Sequence, residues 1–123
     1  MTFPPVALEA FRVKHEVDIE TTSAKGVVHR VVIWIVVVGG VPYVRSVRAQ
    51  KGRWFRELMR HGEGAILVGR QRIPVRASLV GDAAENARVS EALEEKYVRP
   101  RASVLAMIRP DVLPTTARLD PAT

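Results

Sequence analysis

The sequence predicts a mainly β protein with additional helices (α+β): a partly open antiparallel β-barrel of about six strands with two or three short helices. Short segments rich in valine and isoleucine, separated by turns that contain glycine, indicate the strands. Other segments carry apolar residues at helical spacing and indicate the helices. Because 123 residues fit one domain, residues 1–123 are expected to form a single barrel.

The first part of the chain predicts one helix and two strands. Residues 4–12 begin with proline and carry apolar residues at loosely helical spacing, which is typical of a short helix. Residues 15–22 alternate between apolar and acidic side chains, the period-two pattern of a half-buried strand. After a turn at residues 23–26, residues 27–38 form a long β-branched run that predicts a second strand with Trp34 inside it.

The next part predicts a hairpin followed by a helix. Gly39 and Gly40 predict a tight two-residue turn, because glycine accepts the positive φ that such turns require. This turn leads into a third strand, expected at residues 41–47. Residues 53–61 have apolar side chains on one side and are followed by Gly62, so they predict a helix that ends at this glycine.

The last part predicts a second hairpin, an amphipathic helix and a final strand. The hairpin comprises residues 65–68 and 73–80, with four side chains expected to face inward: Ile73, Val75, Ala77 and Leu79. Residues 83–97 combine apolar residues at helical spacing with acidic residues, which is typical of an amphipathic helix. A short helical turn at residues 102–108 and a last strand at residues 115–119 complete the prediction.

The composition excludes several classes of protein. The longest apolar run, residues 31–38, is far shorter than the roughly twenty residues that a membrane-spanning helix needs. Residues 1–5 lack the pattern of a secretory signal, so no membrane association and a cytoplasmic location are expected. The sequence contains no cysteine, which excludes a disulfide, a thiolate nucleophile and a zinc–thiolate site.

The positive charge lies in the middle of the chain. The net charge is +6, yet residues 21–81 contain eleven basic and two acidic residues, a local net charge of +9. Each of these arginines taken alone is typical of a solvated surface. Arginine outnumbers lysine heavily in this segment. The planar guanidinium can bind phosphate or carboxylate through two hydrogen bonds at once, a property that is not needed for solubility alone. The segment therefore favours an anionic ligand.

The remaining motifs narrow the chemistry. The three histidines lie far apart in the sequence, so no metal site is expected. Ser46 lacks the surroundings of a hydrolase nucleophile, and Gly39–Gly40 matches no nucleotide-binding loop. The remaining motif is a strand end followed by a basic loop and a helix start, an arrangement that suits an anion. Free backbone N–H groups and the helix dipole would bind the anion together with the side chains of Ser46, Arg48, Lys51 and Arg53.

Four segments also resemble a known superfamily. They are Thr21–Gly26 with Arg30, Ile33–Val37, Tyr43–Arg48 and Gly52–Trp54. These segments resemble proteins of the FMN-binding split-barrel superfamily, and more narrowly an uncharacterised branch related to deazaflavin-dependent nitroreductases and pyridoxamine-phosphate-oxidase-like proteins. The resemblance implies an antiparallel split β-barrel, often dimeric, that holds the cofactor phosphate on its second and third strands and the following loop.

The resemblance implies a cofactor site in this chain. The positions that correspond to phosphate-binding residues are Lys25, His29, Arg30, Ser46, Arg48, Lys51 and Arg53. The cofactor ring would be flanked by Trp34, Val47 and Trp54. The chain is then expected to be a homodimer that binds FMN or a deazaflavin coenzyme, and to be an oxidoreductase in which the cofactor transfers electrons or hydride.

Two other functions fit the sequence. One is a noncatalytic small-ligand binder that keeps the barrel without its chemistry. The other is a nucleic-acid-binding barrel in which the basic residues follow the phosphates and aromatic side chains stack on bases. The aromatic share of 6% is low for a stacking surface, so the nucleic-acid hypothesis is the weaker of the two.

Overall fold

The computed structural model describes residues 2–122, which form four α-helices and seven strands. The helices are α1 (Pro5–Val13), α2 (Arg53–His61), α3 (Ala83–Lys96) and α4 (Arg101–Met107). The strands are β1 (Val17–Thr22), β2 (Val28–Ile33), β3 (Val36–Val38), β4 (Val41–Val44), β5 (Glu63–Val68), β6 (Gln71–Leu79) and β7 (Ala117–Pro121). Short 3₁₀ turns lie at Ala49–Lys51 and Leu113–Thr115.

The seven strands form one curled antiparallel sheet in the order β2-β1-β5-β6-β7-β4-β3. Strands β2 and β3 follow each other in the chain but lie at opposite edges of this sheet. The sheet is therefore a half-barrel that is open between its two edges. The predicted α+β split barrel is confirmed, with seven strands and four helices in place of about six strands and two or three helices.

Glycines set two of the predicted boundaries. Gly39 and Gly40, at φ 58° and 79°, form the turn that joins β3 to β4. Gly62, at φ 73°, ends α2 and donates its backbone N–H to the carbonyl of Leu58. All three glycines have a left-handed backbone, which glycine adopts without steric cost. The turn and the helix end could therefore be located from the sequence alone.

The predicted second strand is wrong at its centre. Residues 27–38 form two strands, β2 and β3, separated by Trp34 and Ile35. The backbone of Ile35 has side-chain partners here: its N–H and its carbonyl oxygen each lie 3.1 Å from the Tyr97 hydroxyl. The carbonyl also accepts a hydrogen bond of 2.7 Å from Lys96 Nζ. An unbroken run of β-branched residues contains no signal for such a break, because the partners come from α3.

Two smaller expectations also differ from the structure. Strand β4 ends at Val44 instead of residue 47, because Arg45 is bonded to residues of α3 and to the segments that precede β7. Leu79 is 55% exposed although it was expected to face inward. The buried cluster on this face includes Ile73 and Val75 and has Ala77 at its border, so the last residue of β6 lies beyond it.

Two apolar clusters hold the helices on the sheet. Helices α1 and α2 pack on the inner face, where Phe11, Leu58 and Ile19 are fully buried. Helices α3 and α4 pack against the β3–β4 edge through a second cluster that contains Tyr97 and Val104. Lys96 links the two clusters, because its Nζ also donates to the Phe11 carbonyl at 2.7 Å. Burial lowers the pKa of Lys96 to about 8.

We expect Tyr97→Phe to lower the free energy of unfolding by about 1–3 kcal/mol, because the variant leaves the buried N–H of Ile35 without its partner. Urea denaturation measures the change. Tyr43→Phe is the matched control, since it removes a hydroxyl that bonds only the half-exposed Glu85 side chain. A Tyr97→Phe protein as stable as the parent would show that this hydroxyl does not hold the break.

Candidate functional site

A cleft of about 710 Å³ lies at the open side of the half-barrel. Its walls come from the end of β2 and Trp34, the segment after β4, the start of α2, and α4. Clefts of this size accommodate cofactors and other drug-sized ligands. The break between β2 and β3 places Trp34 here, because the chain leaves the sheet edge at this residue.

Aromatic side chains form two parts of the cleft wall. Trp34 is half-buried and stacks on Tyr97, with ring centroids 4.0 Å apart and planes 1° apart. The His15 ring packs edge-on against Tyr97 at 4.9 Å and fixes the stack from another side. Trp54, from the first turn of α2, is 8% exposed and packs edge-on against Phe55. The two tryptophans therefore give the cleft rigid, largely apolar surfaces.

Positive charge dominates the polar part of the lining. Arg48 and Arg53 are exposed and have no carboxylate oxygen within 4.0 Å among residues 2–122. Arg45 also lines the cleft but is 2% exposed. Among the described lining residues, Glu16 is the single acidic side chain. The cleft therefore suits an anionic ligand.

The first turn of α2 adds backbone donors to this charge. Gly52 is the N-cap residue, and no side chain caps the helix. Gly52, Arg53 and Trp54 all line the cleft. Uncapped N–H groups at a helix start carry partial positive charge and bind anions such as phosphate. This helix start and the guanidinium groups of Arg48 and Arg53 border the same space.

The loop that presents the helix start is tightly held. Ser46 is fully buried, and its hydroxyl donates a hydrogen bond of 2.7 Å to the Ala49 carbonyl. Its backbone N–H donates to Thr115 Oγ1 at 3.0 Å. Ala49 adopts a left-handed conformation with φ 55°. A Cβ atom at Gly52 would lie 2.4 Å from Ser46 Oγ, so this close approach requires glycine. The loop therefore has one well-defined path to α2.

The structure brings five of the ten candidate residues into the cleft: Trp34, Val47, Arg48, Arg53 and Trp54. Ser46 lies behind the loop, where its hydroxyl is used within the protein. Lys51 is exposed on the 3₁₀ turn and does not line the cleft. Lys25 lies in the exposed turn between β1 and β2, also outside the lining.

His29 and Arg30 have carboxylate partners away from the cleft. His29 Nδ1 lies 3.0 Å from a Glu57 carboxylate oxygen, and the Thr21 hydroxyl donates to the other at 2.7 Å. Burial opposes ionisation of Glu57, but the hydrogen bonds from Thr21 and His29 lower its pKa below the usual value. Arg30 donates to Glu20 at 3.1 Å. Neither side chain lines the cleft.

Sequence reasoning missed several lining residues, chiefly Arg45 and the α4 residues Ala102, Ser103, Ala106 and Met107. Arg45 was counted within the basic segment but not as part of the site. Arg45 directly follows the apolar residues of β4, and arginine is rarely buried, so its position is a signal that could have marked it. The α4 residues have no chemical signature, since they reach the cleft only through tertiary packing.

We expect Gly52→Ala to destabilise the protein by about 1–3 kcal/mol, because the added Cβ collides with Ser46 Oγ. Ser46→Ala removes that oxygen, so the double variant is expected to lose less stability than the two single losses combined. Chemical denaturation of all four proteins measures the coupling. Strictly additive losses would contradict the assigned contact.

The described part of the chain contains no helix that is long and apolar enough to cross a membrane. Within residues 2–122 no group of three or more histidine, cysteine, aspartate or glutamate side chains is placed to hold a metal ion.

Solved structures with the same fold cover nearly the whole chain. The "Putative Pyridoxamine 5'-phosphate oxidase" of Listeria innocua is 14% identical, with a TM-score of 0.67 over 96% of this chain and 92% of its own. An F420-H2-dependent reductase is 16% identical, with a TM-score of 0.62 over 86% of this chain and 93% of its own. The heme storage protein HutZ of Vibrio cholerae is 16% identical, with a TM-score of 0.63 over 100% and 92%.

These identities are low, so the likeness establishes the fold alone, the split barrel that these structures share with this chain. A search of curated protein sequences gave no significant match. A family model matches residues 7–119 under the description "Uncharacterized protein conserved in bacteria (DUF2255)". Because this match spans almost the entire barrel, the chain belongs to the DUF2255 family.

Proposed function

We propose that the cleft binds a phosphorylated flavin-type cofactor, FMN or a deazaflavin coenzyme, and that the chain is an oxidoreductase using it. The observation that carries the proposal is the meeting of three features in one cleft of about 710 Å³: two arginines without a carboxylate partner among residues 2–122, a helix start that no side chain of these residues caps, and two tryptophans. Arginines and a helix start are well suited to bind phosphate, and tryptophans are well suited to pack against a planar ring system.

The residues present fit such a cofactor. Arg48, Arg53 and the first turn of α2 would hold the phosphate, while Trp34, Trp54 and Val47 would border the ring. The bound cofactor would supply the electron or hydride transfer, and the protein would supply position and electrostatics. One of the similar structures, the F420-H2-dependent reductase, has a name that is compatible with this assignment.

Ion pairs on the sheet weigh against the nucleic-acid alternative. Arg30 and Arg72 both bond the Glu20 carboxylate, at 3.1 and 2.7 Å, and Arg76 bonds Glu63 at 3.0 Å. These pairs interrupt the basic strip that the sequence suggested. A noncatalytic ligand binder would use the same cleft and is distinguished by turnover assays on the cofactor-loaded protein.

The visible spectrum of concentrated purified protein tests the cofactor class directly. A flavin or deazaflavin spectrum supports the proposal. A Soret band would point instead to heme, the ligand that HutZ is described as storing. If the protein purifies colourless, titrations with FMN and with a deazaflavin coenzyme decide whether the cleft takes either cofactor.

We expect Arg48→Ala and Arg53→Ala each to weaken FMN binding by about 10–100-fold, because each removes a charge-assisted phosphate contact of about 1.5–3 kcal/mol. Quenching of FMN fluorescence measures the affinity. Arg56→Ala is the matched control, since Arg56 is an exposed arginine on the same helix outside the cleft lining. Lys51→Ala is expected to have a smaller effect, because Lys51 does not line the cleft. Parent-like binding by both cleft variants would refute the phosphate site.

We further propose a homodimer that covers the free edge of β2 beside the cleft. Val28 and Val32 on this strand are each 55% exposed, and Val47 on the adjoining loop is 46% exposed. An unpaired edge strand with apolar side chains favours association with a second copy. A twofold arrangement is the commonest form of such association.

We expect the parent to sediment as a dimer at micromolar concentration and Val28→Glu to shift the equilibrium toward monomer, because a charge on the free edge opposes burial. Val13→Glu is the control, since Val13 is 64% exposed and is the last residue of α1, not part of the β2 edge. Sedimentation equilibrium with and without FMN measures both. A monomeric parent under both conditions would exclude the dimer.

A further inference from the structure

Arg45 is a buried cation without a counter-ion among residues 2–122. Its guanidinium bonds neutral oxygens with all five N–H groups: Thr116 Oγ1 at 2.8 Å, Ser90 Oγ at 2.9 Å, the Met107 carbonyl at 3.0 Å, and the carbonyl and Oδ1 of Asn86, each at 2.9 Å. No carboxylate oxygen of residues 2–122 lies within 4.0 Å of it. Burial lowers the pKa of Arg45 to about 10, so the side chain remains charged at neutral pH.

Such a charge is costly, and the protein compensates its other prominent buried ion. Glu20, which is 8% exposed, accepts bonds from both Arg30 and Arg72. The hydrogen bonds from Arg72, together with those from Arg30 and against the effect of burial, lower the pKa of Glu20. Around Arg45 the acceptors satisfy hydrogen bonding but leave the net charge in place. That difference indicates that the uncompensated charge itself has a use.

The position of Arg45 suggests what this use is. Arg45 lines the same cleft as Arg48 and Arg53, yet it has no N–H group left to donate to a ligand. We propose that Arg45 determines the charge specificity of the cleft through its electric field, favouring anionic over neutral ligands without touching them. This inference rests on the proposed function only for the identity of the anion, a phosphorylated cofactor.

The low dielectric around a buried group makes this effect substantial. A unit charge about 10 Å away in an effective dielectric constant of about 20 changes the affinity for a monoanion by roughly one order of magnitude. Salt screens buried charges less than exposed ones, so the contribution of Arg45 should persist where those of Arg48 and Arg53 weaken.

Asn86→Asp neutralises the charge and keeps the hydrogen bonds from Arg45 and Thr116, and it loses the 3.4 Å bond that Asn86 Nδ2 donates to the Val80 carbonyl. An aspartate can accept the same bonds from Arg45 Nη2 and Thr116 Oγ1 that Asn86 Oδ1 accepts now. The carboxylate would neutralise the guanidinium at hydrogen-bond distance. Residue 86 also lies in the first turns of α3, where a negative charge is favourable. Gln71→Glu, at the exposed start of β6, adds the same charge outside the cleft and is the matched control.

The first readout requires no cofactor. Trp34 and Trp54 are the two tryptophans of the sequence and both line the cleft, so their fluorescence reports the local potential. Quenching by iodide, an anion, is compared with quenching by neutral acrylamide at low salt. We expect the iodide-to-acrylamide ratio to fall by about twofold or more in Asn86→Asp and to stay at the parent value in Gln71→Glu. An unchanged ratio in Asn86→Asp would overturn the inference.

The second readout compares FMN with riboflavin, which differs from it by the phosphate. We expect the parent to prefer FMN and Asn86→Asp to reduce that preference about tenfold. A preference that survives in Asn86→Asp would overturn the role of Arg45 and leave the proposed function standing. If the parent binds neither compound and no deazaflavin coenzyme, the proposed function fails, while the iodide measurement still decides whether Arg45 sets the potential of the cleft.

Circular dichroism and urea denaturation establish that each variant is folded. If Asn86→Asp does not fold, Ser90→Asp places a carboxylate on the Nη1 side of the same guanidinium and replaces it in both measurements.

Discussion

The backbone of Ile35 is bonded by side chains of α3 where a neighbouring strand would otherwise be required. These side-chain hydrogen bonds make the break between β2 and β3 possible, because a buried N–H or carbonyl group without a partner would destabilise the fold. The Tyr97 hydroxyl and Lys96 Nζ together satisfy both groups. The chain can therefore leave one edge of the sheet at Ile33 and enter the opposite edge at Val36. The open side of the half-barrel, and the cleft within it, follow from that transfer.

Residues at both ends of helix α3 hold the walls of the cleft in place. Its C-terminal end carries Tyr97, whose ring stacks on Trp34 and whose hydroxyl holds the break. Its first half carries Asn86 and Ser90, which bond the guanidinium of Arg45 on the opposite wall. Arg45 also bonds the carbonyl at the end of α4, so three elements meet at one side chain. The aromatic and the basic wall are thus positioned by the same rigid helix.

The sequence predicted what local chemistry determines. Gly39, Gly40 and Gly62 require positive φ angles, and residues 53–61 contain a helical apolar pattern, so these turns and the helix could be placed from sequence. The break at Ile35 depends on residues about sixty positions away, and no local pattern encodes it. For the same reason the cleft residues next to the helix start were predicted, whereas those of α4 were not.

The pairing of basic residues with carboxylates also depends on the fold and not on the local sequence. The sequence identifies a basic segment but gives no means of deciding which of its arginines remain available for a ligand. The fold decides this by bringing carboxylates to some of them: Glu20 pairs with Arg30 and Arg72, although these arginines lie on different strands. Arg48 and Arg53 face a cleft with one acidic residue, and Arg45 is enclosed by neutral oxygens. The fold therefore neutralises part of the basic segment and leaves a positive potential in the cleft, where Arg45, Arg48 and Arg53 have no carboxylate partner among residues 2–122.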